Sequence, residues 1–205
     1  MHEIIILGCG GHASSCIDVI EAEGKFKIKG LVDQKNQKKS EFMNYPIIGT
    51  DQELSEIKKK CDYAFIAIGQ IKNSTIREEK FLELLSLGFK IPFIISPKAY
   101  VSTRSNIQDG TIIMHNAIVN ANVKIGRNCI INSRSLIEHD VIVEDNCHIS
   151  TGAILNGEVK VRQNTFIGSG SILKEKVSVG KNSVVGAGCT VLKDLKDNSF
   201  YKNEK

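Results

Sequence analysis

The sequence predicts a chain of two parts with different fold classes. Residues 1–92 are predicted to form an α/β domain with a parallel sheet, because strand-like and helix-like segments alternate there. Residues 93–205 are predicted to form a β-helix, an all-β coil built from short strands, because aliphatic side chains recur every six residues. A glycine-rich turn that follows the first strand marks a candidate ligand site in the α/β domain.

The α/β domain is predicted from apolar runs that end at glycines. Residues 3–7 form a short apolar strand that runs into the turn Gly-Cys-Gly-Gly at residues 8–11. Two segments have the composition of helices, and the glycines that follow them, Gly24 and Gly88, are predicted to end these helices. The other predicted elements are a helix at about 12–23, a strand at 28–32, a strand at 63–68 and a helix at about 74–87.

The second part carries a repeat of six residues. Seventeen positions spaced by six residues, from Ile95 to Val191, are all isoleucine, leucine or valine. These residue types make up roughly a quarter of the chain, so chance would fill only about four of the seventeen positions. Small side chains occupy most of the positions four residues later: Ala99, Ser105, Thr111, Ala117, Cys129, Ser135, Cys147, Ala153, Thr165, Ser171, Ser183 and Cys189.

This spacing fits neither a helix nor a plain strand. A helix needs apolar residues about every 3.6 positions and a strand needs them at every second position. One aliphatic residue in six, followed by a small one, suits short strands that are joined by tight corners. The aliphatic side chain points into a narrow prism, and each coil buries its face against its neighbours.

Composition limits the function classes. The chain has 205 residues, 41% of them hydrophobic and 24% charged, and a net charge of +4, which does not indicate nucleic-acid binding. It has no signal peptide pattern and no apolar run of the roughly 20 residues that span a membrane. The six cysteines show no CxxC pair and no metal-ligand spacing with histidine. We therefore expect a soluble cytoplasmic protein without a metal.

The motifs resemble those of a known family. Hexads such as I-G-R-N-C-I at 125–130 and V-G-K-N-S-V at 179–184 resemble the left-handed β-helix acyltransferases. The whole chain is similar to bacterial sugar acetyltransferases of the PglD/NeuD group. The motifs that carry this similarity are G-C-G-G-H-A at 8–13, A-I-G at 67–69 followed by Arg77, and I-N-S-R-S-L-I-E-H-D at 131–140. The resemblance implies a Rossmann-like nucleotide-sugar-binding domain over 1–92 and a left-handed parallel β-helix over 93–205.

The resemblance also implies the chemistry. Acetyl transfer from a thioester needs a general base of near-neutral pKa, and histidine suits that role. Among His115, His139 and His148 in the β-helix, His139 lies in the matching I-E-H motif, at a hexad position that points out of the prism. Asp140 would support it as the family's acid does, and Glu138 is the competing partner of the imidazole. His115 lacks a matching motif, so we expect it to be solvated.

The cofactor implied by the family is acetyl-CoA, which acts as a co-substrate. His148 aligns with a family histidine that contacts the thioester region of acetyl-CoA, although it would otherwise be a polar edge residue of a coil. Gly168, Ser169, Gly186 and Ala187 match family positions whose backbone meets the pantetheine arm. Small residues permit such a close approach, but the corners of a β-helix need them as well. The family forms homotrimers with active sites between the subunits.

The glycine turn at the end of the first strand is the predicted substrate site. Open α/β sheets bind ligands at the carboxyl ends of their strands, where backbone amides at a helix start face phosphate. The family implies that Gly10, Gly11 and His12 lie near the sugar-phosphate, Asp33 near the nucleotide, and Gly69 in the same site. His12 could instead cap its helix. A site for a hydride-transfer cofactor is the weakest alternative, because the β-helix would have no role in such a reaction.

The carboxyl-terminal segment departs from the family. Relatives end the β-helix with a G-x-P-A-K-like segment that helps to hold CoA, whereas this chain reads D-N-S-F-Y-K-N-E-K. Contacts from this segment to CoA are therefore not predicted. Phe200 and Tyr201 are expected to replace them or to cover the last coil.

The function that follows is acetyl-CoA-dependent N-acetylation of a nucleotide-linked 4-amino-4,6-dideoxy sugar in bacterial surface-glycan or glycoprotein-sugar biosynthesis. One alternative is O-acetylation of sialic acid, which the run I-S-T-G-A-I-L-N-G at 149–157 favours. An alternative of another class is a non-catalytic scaffold that binds a nucleotide sugar. The sequence leaves open which nucleotide and which sugar stereochemistry the substrate has.

Overall fold

In the residues that the structure describes, the α/β domain contains five strands, three α-helices and one 3-10 turn. The structure is a computed structural model that describes residues 1–34, 40–71 and 74–202. The domain starts with β1 (His2–Leu7), α1 (Gly11–Glu23) and β2 (Phe26–Asp33). The elements that follow are β3 (Glu41–Phe42), β4 (Tyr45–Thr50), a 3-10 turn (Asp51–Glu53), α2 (Leu54–Lys58), β5 (Tyr63–Ile66) and α3 (Thr75–Ser86).

The sheet of this domain has the strand order β3-β4-β2-β1-β5. Strands β1, β2, β4 and β5 are parallel, and β3 pairs antiparallel with β4. The chain places β2 on one side of β1 and β5 on the other, so the order reverses at β1. A crevice forms at the carboxyl ends of the strands beside such a reversal, and ligands bind there in open α/β sheets.

The rest of the chain is a left-handed β-helix, as predicted. Its strands form three parallel sheets, and as far as Val191 each strand pairs with the strand 18 residues later, as Ile118 does with Leu136, whereas Val184 pairs with Phe200 in the last coil. Three hexads therefore make one coil. The strands, β6 to β23 in chain order, are Ile94–Ile95, Tyr100–Val101, Asn106–Ile107, Ile112–Ile113, Ile118–Val119, Lys124–Ile125, Ile130–Ile131, Leu136–Ile137, Ile142–Val143, His148–Ile149, Ile154–Leu155, Lys160–Val161, Phe166–Ile167, Ile172–Leu173, Ser178–Val179, Val184–Val185, Thr190–Val191 and Phe200–Tyr201.

The predicted hexad positions form the interior of the prism. The aliphatic residues from Ile113 to Val191 are all buried, and those at 95, 101 and 107 in the first coil pack partly buried against them. The small residues four positions later are buried from Thr111 onward, so they fill the corners as predicted. Burying one such aliphatic side chain contributes roughly 1.5–3 kcal/mol to folding.

Every corner between residues 110 and 188 contains one residue with a left-handed backbone. These fourteen positions, spaced by six, have φ between 52° and 73°. Ten of them are glycine or asparagine, the residue types that adopt this conformation most readily. Asp140 is one of the other four, with φ of 61°, so its backbone is fixed by the corner in which it lies.

The α/β domain packs on one sheet of the β-helix. Outward-facing residues of that sheet, among them Ile112 and Ile130, share a buried apolar cluster with Ile17 and Ile20 of α1. Arg77 of α3 is 1% exposed and crosses the same junction. Its guanidinium donates to the carbonyls of Ile66, the last residue of β5, and of Ile68, at 2.6 and 2.9 Å. It also donates to the carbonyls of Gly110 and Asn128 in the β-helix, at 3.3 and 3.2 Å.

Three features of the α/β domain differ from the prediction. Strand β5 ends at Ile66 rather than at residue 68. The hairpin of β3 and β4 was not predicted, since the short sequence YPIIGT of β4 includes a proline and a glycine that interrupt an apolar run. Helix α2 is only five residues long, which is too short for a helical period to be recognised.

Candidate active site

His139 lies on the corner of the prism that follows strand β13 (Leu136–Ile137), two residues after the strand ends, and points outward as predicted. Its side chain is 60% exposed, and its Nδ1 lies 2.9 Å from Oδ2 of Asp140. A carboxylate can only accept, so Nδ1 carries the proton and donates it to Asp140. The lone pair of the neutral ring is then on Nε2, which has no hydrogen-bond partner among the described residues.

Asp140, rather than Glu138, contacts the imidazole. The hydrogen bond from His139 and a second one from Nδ2 of Asn122, at 3.1 Å, lower the pKa of Asp140 below its ordinary value. Oε2 of Glu138 instead accepts a hydrogen bond from Nδ2 of Asn120 at 2.9 Å. Glu138, the other carboxylate next to His139 in the sequence, is therefore hydrogen-bonded to Asn120 and not to the imidazole.

His148 is buried between the β-helix and the α/β domain. Its Nδ1 donates to the carbonyl of Gln70 at 2.7 Å, and its Nε2 accepts from Nδ2 of Asn132 at 3.2 Å. The amide of Asn132 is oriented by Ser133, whose backbone N–H donates to Oδ1. The ring also packs edge-on against Phe166, with centroids 5.1 Å apart. Both ring nitrogens thus have partners within the chain, and a contact to acetyl-CoA stays a prediction.

Burial of His148 predicts an acid-sensitive fold. Desolvation lowers its pKa from an ordinary value near 6.5 to about 4. The unfolded chain therefore binds this proton at higher pH, so stability present above pH 6.5 is lost as the pH falls toward 4. The protonation of His148 is expected to lower the free energy of unfolding by about 3 kcal/mol, since each unit of pKa difference corresponds to about 1.4 kcal/mol.

The measurement is urea unfolding of the wild type and of His148→Asn at pH 7 and at pH 4.5. Asparagine can still donate to the Gln70 carbonyl but does not titrate in this range. We expect the variant to lose less stability between the two pH values than the wild type does. Equal losses would show that His148 does not titrate as its burial implies.

The glycines and small residues assigned to CoA lie on neighbouring coils near the carboxyl end of the β-helix. A Cβ at Gly168 would lie 2.5 Å from the backbone nitrogen of Ala187, so the stacking of coils alone requires glycine there. Ser169 is exposed and exchanges a 2.8 Å hydrogen bond with Ser150. Gly186 has ordinary contacts, and Ala187 is exposed. Their role toward CoA stays a prediction.

His115 is not solvated, and that expectation was wrong. Its Nε2 lies 2.7 Å from Oδ2 of Asp18 in α1, and its Nδ1 lies 2.6 Å from the hydroxyl of Ser96. The ring therefore links the helix of the α/β domain to the first coil of the β-helix. Sequence offered no signal for this contact, because 97 residues separate His115 from Asp18.

The predicted substrate residues line one cavity of about 460 Å³ at the carboxyl ends of β1, β2 and β5. Gly10 and Gly11 form its rim at the start of α1, and His12, Asp33 and Gly69 complete its wall. No side chain caps this helix start and no acidic residue lies in its first turn. Its backbone N–H groups and the helix dipole therefore favour an anion such as a phosphate.

His12 and Asp33 are the two titratable residues of this cavity that were predicted to bind the substrate. His12 does not cap α1, since the N-cap is Gly10, which corrects that alternative. Its Nε2 lies 3.4 Å from Sγ of Cys16, and burial lowers the pKa of His12 to about 3, so the ring is neutral. Oδ1 of Asp33 accepts from the backbone N–H of Gln34, and Oδ2 has no partner among the described residues.

Phe200 and Tyr201 behave differently from each other at the carboxyl end. Strand β23 pairs with β21 (Val184–Val185), and Tyr201 packs against the interior of the prism and donates to the carbonyl of Thr190. Phe200 is largely exposed. Tyr201 thus covers the last coil, as expected, and Phe200 does not. The last three residues, 203–205, lie outside the described part of the chain.

Comparison with known families matches both parts of the chain. Residues 3–84 match the PglD N-terminal domain. Residues 104–138 and 158–193 match the bacterial transferase hexapeptide, and residues 122–156 match the hexapeptide repeat of succinyl-transferase. The chain thus combines a PglD-type N-terminal domain with transferase-type hexapeptide repeats. A comparison with curated protein sequences gives no match.

Solved structures of this type are similar over nearly the full chain. A variant of perosamine N-acetyltransferase from Caulobacter crescentus, in complex with CoA and GDP-perosamine, is 28% identical with a TM-score of 0.89, over 96% of this chain and 91% of that one. The acetyltransferase domain of PglB from Neisseria gonorrhoeae, in complex with acetyl coenzyme A, is 27% identical with a TM-score of 0.88, over 96% and 93%. WeeI from Acinetobacter baumannii shares the fold at 22% identity, with a TM-score of 0.83 over 98% and 97%.

The residues that the structure describes contain no group of three or more histidine, cysteine, aspartate or glutamate side chains that could hold a metal ion. None of the helices in this part of the chain is long and apolar enough to cross a membrane.

Proposed function

We propose that the protein transfers the acetyl group of acetyl-CoA to the amine of a nucleotide-linked 4-amino-4,6-dideoxy sugar, with His139 as the general base. The hydrogen-bonded pair of His139 and Asp140 on an exposed corner carries this proposal. The similar Caulobacter enzyme was solved with CoA and GDP-perosamine and the Neisseria domain with acetyl coenzyme A, which supports these two classes of ligand.

The tautomer of His139 defines the proton transfer. Because Nδ1–H donates to Asp140, Nε2 holds the lone pair and takes a proton from the attacking amine. The amine nitrogen forms a bond to the thioester carbonyl carbon, and the tetrahedral intermediate then breaks its carbon–sulfur bond. The leaving thiolate of CoA takes up a proton from the imidazolium, which returns His139 to its neutral form. The Asp140 carboxylate stabilises the imidazolium while it exists.

The cavity of the α/β domain would hold the nucleotide end of the substrate. The N–H groups at the start of α1, beside Gly10 and Gly11, suit the phosphates. Asp33 offers a carboxylate oxygen to a hydroxyl or N–H donor of the nucleoside. Gly69 also lines the cavity, and a Cβ there would make only an ordinary 3.4 Å contact with Cβ of His12.

We propose that the chain forms a homotrimer with active sites between its subunits. His139 lies on the corner after β13, whereas His148 lies on a different sheet of the prism. The sheet that contains β13 has an outward apolar face, with Tyr100 59% and Ile118 and Ile172 each 40% exposed. A second copy packed on this face would border His139 and bury these side chains.

Charge on this apolar face is predicted to dissociate the oligomer. Ile154→Asp places a carboxylate in the middle of the face, and we expect it to shift the protein to a monomer and to abolish acetyl transfer. Ile142→Asp is a matched control, because Ile142 points outward from a neighbouring sheet whose other outward residues are polar. Sedimentation velocity measures the outcome. An Ile154→Asp protein that still sediments as a trimer would contradict this interface.

The acceptor is tested by thiol release from acetyl-CoA with Ellman's reagent. The panel contains UDP-, GDP- and dTDP-linked 4-amino sugars and free sialic acid. We expect release with one of the nucleotide amino sugars and none with sialic acid. Release with sialic acid alone would favour O-acetylation instead. No release from any acceptor, with nucleotide-sugar binding retained in calorimetry, would favour the non-catalytic scaffold.

A further inference from the structure

The imidazole of His139 lies against a glycine of the next coil. Gly157 follows His139 by 18 residues, so the two occupy the same corner one coil apart. A Cβ on Gly157 would lie 2.6 Å from Cε1 and 2.7 Å from Nε2 of the ring. Real Cβ atoms do not approach other heavy atoms so closely, so any side chain at residue 157 would displace the imidazole.

Backbone conformation does not explain this glycine. Gly157 does not have the left-handed φ that the corner glycines Gly152 and Gly170 have. The same hexad position occurs seventeen times between residues 97 and 193, and Gly157 is the only glycine among them. The other residues at this position include Arg127, His139 and Glu175, so the fold accepts long side chains there.

We propose that Gly157 is a positioning residue for His139, an inference that rests on the proposed function of His139 as the base. The missing side chain lets the ring lie over the backbone of the next coil. In that place Nδ1 reaches Asp140 while Nε2 stays unpaired. A methyl group at residue 157 would turn the ring away and break the hydrogen bond that fixes its tautomer.

Steady-state kinetics of Gly157→Ala test the effect on catalysis. We expect kcat to fall by about 100-fold, the loss typical of a displaced catalytic group, with the KM for the nucleotide sugar little changed. In a His139→Asn background the same substitution should change the residual rate by less than about two-fold, because the two residues act as one unit. Glu175→Ala, one coil further along the same corner, is the control and should leave kcat unchanged.

Nitrogen-15 NMR of the histidine rings tests the position without any activity. The His139 signals are assigned from their absence in His139→Asn, and folding is checked by melting temperature and sedimentation. We expect Gly157→Ala to change the Nδ1 and Nε2 chemical shifts of His139, and Glu175→Ala to leave them unchanged. Unchanged His139 signals in a folded Gly157→Ala protein would overturn the inference, even if the variant is inactive. If the wild type proves to lack acetyltransferase activity, the same spectra still decide the position of the ring.

Discussion

His139→Asn is expected to lower kcat by about 10² to 10⁴-fold, the usual contribution of a general base. Asparagine keeps a donor toward Asp140 but has no lone pair that can take a proton from the amine. Asp140→Asn should cost less, because an amide oxygen can still accept from Nδ1 of His139 while the stabilising charge is lost. The measurement is initial-rate kinetics with the best acceptor of the panel, together with acetyl-CoA binding by calorimetry.

The matched control for this prediction is His115→Asn. It replaces a histidine that occupies the same hexad position as His139 but is hydrogen-bonded to Asp18 and Ser96. His139, in contrast, lies exposed on its corner. We expect it to affect stability more than turnover. A His139→Asn protein that is folded, has the wild-type oligomeric state and keeps full turnover would exclude His139 as the base.

Arg77→Met is expected to lower the free energy of unfolding by about 3–5 kcal/mol, because several buried carbonyls would each lose a hydrogen-bond partner at a cost of about 1–3 kcal/mol. Arg77 is buried, and its guanidinium donates to four carbonyl groups at the junction of the two domains. Methionine has a similar length but no donors, so carbonyls of Ile66, Gly110 and Asn128 would lose their partner. Burial also lowers the pKa of Arg77 to about 10, yet the group is charged at neutral pH.

Urea unfolding at pH 7 measures this loss. Arg104→Met is the control, because Arg104 is exposed on the β-helix and a surface change of this kind usually alters stability by less than about 0.5 kcal/mol. We expect Arg77→Lys to lie between Arg77→Met and the wild type, since an ammonium group cannot reach all four carbonyls at once. Equal stabilities of Arg77→Met and the wild type would mean that the junction does not depend on this residue.

The β-helix could be predicted because its repeat is local. Each hexad contains its own interior residue and corner residue, usually with a small residue as well, and each coil stacks on a neighbour of the same shape. The left-handed corner positions were available as well, since asparagine or glycine occupies ten of fourteen positions at the same spacing. The hairpin of β3 and β4 was missed because its strands are short and its residues show no clear alternation.

The site could be predicted only where its residues are close in sequence. His139 and Asp140 are neighbours in one motif, and the structure shows the hydrogen bond between them. The partners of His115, His148 and Arg77 are separated from them in sequence by 9 to 97 residues, so only the folded structure shows these contacts. Gly157 ends the run at 149–157 that was used to compare this sequence with the family. That it leaves room for the imidazole of His139 is visible only once the coils are stacked.

The position of the new acetyl group on the product is the most direct test of the central claim. The wild-type protein is incubated with carbon-13-labelled acetyl-CoA and the nucleotide 4-amino sugar that releases CoA, and the product is examined by heteronuclear NMR. We predict a labelled carbonyl coupled to an amide N–H on the sugar and no labelled ester. A labelled ester, or unlabelled sugar after complete incubation, would contradict N-acetylation as the function of this protein.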